Sequence, residues 1–187
     1  MKGYFTILVS FLLTLPGWAA DFKHVGDYLL QSHFKLTGQQ VTPIPMKPIA
    51  FRVFTDSFGS WWPGEYHIGQ ADMATAILEP HEGGRWYEQG TDGSECDWGQ
   101  VLTWEPPHRL VVTWQINGHW QYDPDPTHAS EIEVRFSADG PQQTTVSLEH
   151  RRLERLVDGQ ALRDGITGGG GWPSLLELFA KTATNQA

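Results

Sequence analysis

GGRWYEQGTDGSECDWGQVLTWEPPHRLVVTW, residues 83 to 114, has the rhythm of antiparallel strands joined by tight turns, with large apolar side chains returning at alternate positions. A strand sends successive side chains to opposite faces of its sheet. Leu110, Val112, Trp114 and Ile116 therefore share one face, predicted to be the core side, while Val111, Thr113, Gln115 and Asn117 share the other. Before them, Trp98, Leu102 and Trp104 fall on one parity. Between the two runs lies Glu105-Pro106-Pro107-His108, which cannot continue a ladder because proline has no N–H to donate. It reads as a hairpin connection.

The pattern continues downstream. Ile132, Val134 and Phe136 alternate with Glu131, Glu133 and Arg135; Asp139-Gly140-Pro141 turns the chain; Val146 and Leu148 then alternate with Thr145, Ser147 and Glu149. These predict two more meander strands. Helical spacing appears on either side of the strands. Pro48 suits the first helical position, where its missing N–H is no loss, and Ala50, Phe51 and Phe54 follow at helical intervals before Asp56 and Gly59. Near the other end, the run Gly168 to Gly171 reads as a hinge. Trp172 and Pro173 then open a helix with Leu175, Leu176 and Phe179 on one stripe, fading after Lys181.

Ahead of the strands, Lys2, the apolar run from Tyr4 to Leu15, and Pro16-Gly17-Trp18-Ala19-Ala20 have the layout of a secretory signal, with cleavage after Ala19. The run is shorter than the roughly 20 residues a spanning helix needs, so no stable membrane span is expected after processing. The expectation is residues 1–19 as signal peptide, 20–40 as a linker or N-terminal extension, and 41–187 as one domain. Export to the periplasm or medium is the corresponding location, with a cytoplasmic domain carrying an unused extension as the alternative.

A chain of 187 residues can bury a substantial core. Its formal net charge is −9 and no basic run occurs, which argues against nucleic acid and anionic membrane as partners, since both call for clustered Lys or Arg. The single Cys96 allows neither an intrachain disulfide nor a cysteine metal cluster, and reads as a strand residue beside Trp98.

Several strings together resemble one superfamily. FRVFTDSFGSWWP (Phe51 to Pro63), GGRWYE, GQVLTWEPPHRLVVTW (Gly99 to Trp114), SEIEVRF, TTVSLEH and GGGGWPSLLELFAKTA are similar to the SRPBCC (START-like, Bet v 1-like) superfamily. Within it, they most resemble the homologues of the activator of the 90-kDa heat-shock protein ATPase, over about Val41 to Ala183. The resemblance implies an α+β helix-grip fold of bacterial single-domain type, in which a curved antiparallel sheet wraps around a long C-terminal helix and leaves an internal cavity. It also implies a function in binding a small hydrophobic ligand, lipid or aromatic. Some relatives are cyclases, aromatases or hydrolases acting inside the cavity, which keeps an enzyme as the alternative. Chaperone stimulation, suggested by the family's label, fits less well, because those co-chaperones engage their partner through an additional N-terminal domain and an exported chain would not meet a cytoplasmic chaperone.

If the inward parities hold, the cavity wall carries Trp86, Trp98, Trp104, Trp114 and Phe136 from the sheet, Trp172 and Phe179 from the helix, and Trp61 or Trp62 at an edge. Gln100, His150 and Tyr87 are the polar candidates for orienting a small apolar or aromatic molecule. Plain core packing is the competing role for every one of these rings. No nucleophile elbow, reactive-cysteine signature or zinc helix is present, so no catalytic residue and no cofactor is assigned. His150 or His119 would serve as general acid or base in the enzyme alternative. His119, Asp123, Asp125 and His128 share one loop but lack a recognised ligand spacing, and acids beside Pro124 and Pro126 are ordinary turn chemistry, so no metal is assigned either.

Overall fold

The computed structural model describes residues 20–24, 30–37, 46–140, 143–167 and 170–186. Eight strands form one antiparallel sheet: β1 (Ala20–His24), β2 (Leu30–Thr37), β3 (Met73–Leu78), β4 (Arg85–Gly90), β5 (Glu95–Glu105), β6 (Arg109–Trp114), β7 (Ser130–Ala138) and β8 (Gln143–Arg151). Their order across the sheet is β1-β2-β8-β7-β6-β5-β4-β3. The strands from β3 to β8 thus run as a meander, and the chain's first two strands add to its far edge. Among the described residues, the α-helices are α1 (Met46–Phe54), α2 (Gly159–Thr167) and α3 (Trp172–Asn185). The curled sheet with its C-terminal helices is the α+β helix-grip fold.

Within the segment 20–40, read from the sequence as a linker or N-terminal extension, β1 and β2 add two strands to the sheet. β2 pairs with β8 from Leu30 opposite His150 to Thr37 opposite Gln143. The proposed signal, residues 1–19, lies outside the described residues, as do Gly168 and Gly169 of the expected hinge.

Packing follows the expected stripes. α1 buries Ala50, Phe51, Val53 and Phe54; α3 buries Trp172, Leu175, Leu176, Phe179, Ala180 and Ala183, with Pro173 in its first turn. Phe54 bridges the layers, with its ring centroid 5.2 Å from Phe179 of α3 and 5.9 Å from Phe136 of β7. The Glu105-to-His108 segment is the β5–β6 hairpin, as its prolines require.

β5 departs from simple alternation. Its pairing with β4 shifts between Trp86 and Tyr87, so that Trp98 is an extra residue, and its pairing with β6 shifts between Val101 and Thr103, so that Leu102 is another. Each bulge reverses the inside–outside sense of the residues after it. Trp98 and Trp104 both face inward because the two reversals cancel between them. Gln100 and Leu102, of the same parity, lie between the bulges and face out; Leu102 is 44 % exposed, and Val101 is buried in their stead. The expectations that Leu102 joins the inner face and that Gln100 lines the cavity are corrected on this ground.

The outer face carries a charge lattice. Glu133, nearly buried, receives Arg109 Nε at 2.7 Å, Arg151 Nη1 at 2.8 Å and the Arg135 guanidinium, while Glu131 receives Arg151 and Arg152. Val111 lies beneath it, opposite Glu133 in the register, which explains why a residue on the outer parity is 3 % exposed.

Candidate functional site

A cavity of about 390 Å³ opens between the inner face of the sheet and the α2–α3 corner. Four tryptophans form its deep wall: Trp62 from the segment after α1, Trp98 of β5, Trp114 of β6 and Trp172 at the start of α3. Ile68, Ile116, Ile166 and Leu175 supply aliphatic surface. At the mouth stand Tyr66 and Trp120, 39 % and 48 % exposed, and Trp120 lies against Gly165 of α2. Trp62 and Trp98 are 5.2 Å apart between centroids, and Trp172 lies 6.1 Å from both Trp62 and Trp114.

Each deep indole N–H already has a protein acceptor. Trp62 donates to Tyr66 O at 2.8 Å, Trp98 to Glu88 Oε2 at 2.8 Å, Trp114 to Ile116 O at 2.9 Å, and Trp172 to His150 Nδ1 at 3.1 Å. The rings are therefore held in fixed orientations and turn carbon surface toward the cavity.

Glu88 organises this wall. It sits on the inward parity of β4, 2 % exposed, and its carboxylate accepts from Ile68 N (2.9 Å), Gly69 N and Trp98 Nε1. Three donors converging on one buried carboxylate satisfy it and tie the 62–69 segment to the sheet. The carboxylate lies so close to Gly69 that a Cβ there would overlap it.

His150 occupies the inward parity of β8 with no exposed surface. Since Trp172 donates to Nδ1, the ring proton resides on Nε2, which donates to Ser130 Oγ at 2.8 Å; Ser130 in turn lies 3.4 Å from Trp114 O. A nucleophile's base must accept the hydroxyl proton, so this Ser–His pair is oriented in the opposite sense. Burial pushes the His150 pKa down to about 3, which keeps it neutral. It is a bridge that sets the Trp172 indole, not an acid or base open to a substrate.

The remaining sequence candidates are dispersed. Trp86 packs behind the deep wall, 5.5 Å from both Trp98 and Trp114. Phe136 and Phe179 lie in the aromatic core around Phe54, and Trp104 is half-buried against Phe51 at 5.3 Å. Trp61 donates to Val53 O and also belongs to that core. Tyr87 faces outward beneath the Arg85 guanidinium at 4.1 Å. Cys96 is half-buried in β5, and burial, with Glu88 and Asp97 nearby, pushes its thiol pKa up. His119 pairs with Asp158 at 2.5 Å, whereas His128 Nδ1 meets Asp123 at 2.8 Å and Asp125 caps the Pro126–His128 turn through Thr127 N. The loop of acids and histidines thus resolves into separate local contacts. Among the described residues, no helix is long and apolar enough to cross a membrane.

A family model described as "Activator of Hsp90 ATPase homolog 1-like protein" matches residues 49–184. The chain belongs to this family. As an AHSA1-type SRPBCC domain, it shares its architecture with solved relatives. It is 35 % identical to an anthrahydroquino-gamma-pyrone synthase, Txn09, solved in complex with SUM, over 83 % of this chain and 96 % of that one, with a TM-score of 0.57. It is 26 % identical to CalC, a self-sacrificing resistance protein from Micromonospora echinospora, over 86 % and 97 % of the two chains, with a TM-score of 0.61. A protein from Nitrosomonas europaea, 12 % identical over 88 % and 100 % with a TM-score of 0.55, shares the fold. No curated protein matches the chain.

Of the nine residues expected to line the AHSA1-type cavity, Trp98, Trp114 and Trp172 do so. Sequence reasoning misses Tyr66, His67, Ile68 and Trp120, which lie on irregular loops where no periodicity marks the inner side. It also misses Glu88, a charged residue on an inward position, where alternation predicts an apolar one. That exception, an acid between Trp86 and Gly90 on the buried parity, is itself a readable signal.

Proposed function

We propose that this domain binds a small, flat, largely aromatic molecule in the cavity between the sheet and the α2–α3 corner. The observation that carries the reading is the wall of four tryptophans whose N–H groups are all engaged within the protein. Such a wall offers dispersion and ring stacking with little competing demand for hydrogen bonds, which suits a planar apolar guest. A volume of about 390 Å³ lies within the usual range of small-molecule sites. The exposed Tyr66 and Trp120 at the mouth extend the aromatic surface toward the entrance. The name of the 35 %-identical relative, which refers to an anthrahydroquinone and a γ-pyrone, supports a polycyclic aromatic ligand.

That same name favours one second reading, a cavity enzyme acting on an aromatic or pre-aromatic substrate. Glu65 and His67 lie in the cavity lining as ionisable groups for such chemistry.

The test is to purify the chain under native conditions, unfold it, identify released small molecules by mass spectrometry and titrate them back by tryptophan fluorescence. Release and stoichiometric rebinding of one unchanged aromatic supports a binding domain. Conversion of the returned compound supports the enzyme. No release, together with no response to a panel of two- to four-ring aromatics, refutes the ligand reading and makes the cavity a packing defect of the aromatic core.

A further inference from the structure

Trp120, at the cavity mouth, holds a backbone conformation that tryptophan rarely takes. Its φ is 58°, in the left-handed region that residues with a Cβ enter at a cost, bulky ones above all. The 117–121 loop enforces it. Asn117 O accepts from Trp120 N at 3.0 Å, Asn117 Oδ1 accepts from the amides of His119 and Gln121, and Gly118 N donates to Val157 O. The result is a half-exposed indole laid against Gly165, with no ring partner among the described residues. Two other non-glycine residues share this conformation, Arg152 and Asp158, and both engage their side chains in ion pairs, with Glu131 and His119. Trp120 instead presents its ring to an opening. Strain of this kind gathers at ligand clamps and active sites.

The fixed charge at this opening has one sign. Glu65 lines it, exposed, with no hydrogen bond or ion pair among the described residues. Among the described lining residues there is no Lys or Arg, and His119, beside Trp120, is matched by Asp158. The chain as a whole, at a formal −9, adds to the negative potential. Deeper in, the four engaged indoles offer carbon surface. Polarity is therefore graded from an apolar floor to a mouth that combines a carboxylate with the face of an indole, the ring whose quadrupole attracts cations most strongly. A cation gains from both groups and an anion from neither.

We propose that the guest carries a positively charged ammonium group at the end that stays in the mouth, where Glu65 and the Trp120 indole border the opening. This rests on the aromatic-ligand reading above and deepens it: the ligand is a flat ring system bearing an alkylamine, with its rings against the deep tryptophans and its charge toward solvent. The carboxylate and the indole then set the direction of entry and select against acidic aromatics.

The experiment compares 2-(aminomethyl)anthracene, protonated near neutral pH, with 2-(hydroxymethyl)anthracene, a neutral probe of similar size, by fluorescence titration of the full chain. Taking the ratio of affinities within each protein cancels the difference in probe hydration and any charge on His67. The ratio, ammonium over hydroxyl, is expected to be about threefold lower in Glu65→Gln than in the wild type. It is expected to be about threefold lower also in Trp120→Leu, which keeps apolar bulk but has no ring face. Raising the salt from about 0.01 M to about 1 M, which shortens the screening length from about 30 Å to about 3 Å, should erode the preference more in the wild type than in Glu65→Gln. Glu65 is exposed and without a partner, so its replacement tests the site and not the fold. A ratio unchanged in either variant, or a wild type that binds the hydroxyl probe as tightly as the ammonium, overturns the cationic end and leaves the cavity reading standing. If neither probe binds the wild type, the reading of the cavity as a site for flat aromatics fails and the cationic end falls with it.

Discussion

Replacing Glu88 by glutamine alters almost no volume but removes one of the two acceptor oxygens on which three donors converge. Oε2 receives Ile68 N at 2.9 Å and Trp98 Nε1 at 2.8 Å, while Oε1 receives Gly69 N. The glutamine oxygen will keep the position with two donors, so its NH₂ must face the Gly69 amide, donor against donor. One hydrogen bond to a charged acceptor is lost, about 1.5–3 kcal/mol, and a donor is left unpaired at about 1–3 kcal/mol, less whatever the segment recovers by turning Gly69 toward water. We expect a net loss of about 3 kcal/mol, a large part of a typical domain stability of about 5–15 kcal/mol. Urea denaturation reads it as a lower midpoint at unchanged slope, and amide exchange at Ile68 and Gly69 should accelerate more than exchange in β7. A midpoint shift worth less than about 0.5 kcal/mol, with both amides still protected, would refute the idea that this carboxylate holds the cavity wall together.

Acid sensitivity arises from His150. Its folded pKa of about 3 lies below the ordinary histidine value of 6.5, so the unfolded chain binds a proton that the native one refuses. Stability from this group is fully present above pH 6.5 and declines as pH falls toward 3, with a slope approaching 1.4 kcal/mol per unit; His150→Gln should flatten the decline between pH 6.5 and 5. His128 works in the opposite sense, since its hydrogen bond to Asp123 raises its pKa and the benefit is lost as pH rises through that value. Trp120→Ala, at the exposed mouth, should change stability by less than about 0.5 kcal/mol yet weaken binding of an aromatic probe, whereas Phe179→Ala should cost about 3–5 kcal/mol and leave the affinity of the folded molecules unchanged. Export, which we propose from the signal-like start, predicts a mature N-terminus at Ala20 or Asp21 by mass spectrometry of protein from its native host; a chain starting at Met1 would exclude cleavage.

The meander and both flanking helices are legible in the sequence because their apolar residues recur with the period of the element: Leu110, Val112 and Trp114 on β6, Ile132, Val134 and Phe136 on β7, Leu175, Leu176 and Phe179 on α3. β2 carries the same mark, since Leu30, Phe34 and Leu36 alternate with Gln31, His33 and Lys35, but no turn signal isolates it from the segment before it. α2 escapes notice because its buried face consists only of Gly159, Leu162 and Ile166. The site is less legible than the fold. Periodicity finds inward residues, and most of those, Trp86, Phe136 and Phe179 among them, pack against one another; which inward rings border a cavity depends on where loops such as 62–69 and 117–121 cross the sheet, and loops have no period.

The two bulges of β5 are the places where this strand can change length without turning a side chain over. Removing Leu102 would leave Val101 opposite Val112, Thr103 opposite Val111 and Trp104 opposite Leu110, each on the face it now has; removing Trp98 would likewise keep Asp97 opposite Tyr87 and Gly99 opposite Trp86, at the cost of that ring. Removing Gln100, which lies between the bulges, would instead slip the strand by one residue against β4 or against β6. Deletion of Leu102 should thus be better tolerated than deletion of Gln100. Length changes in this strand are expected to fall at its bulges.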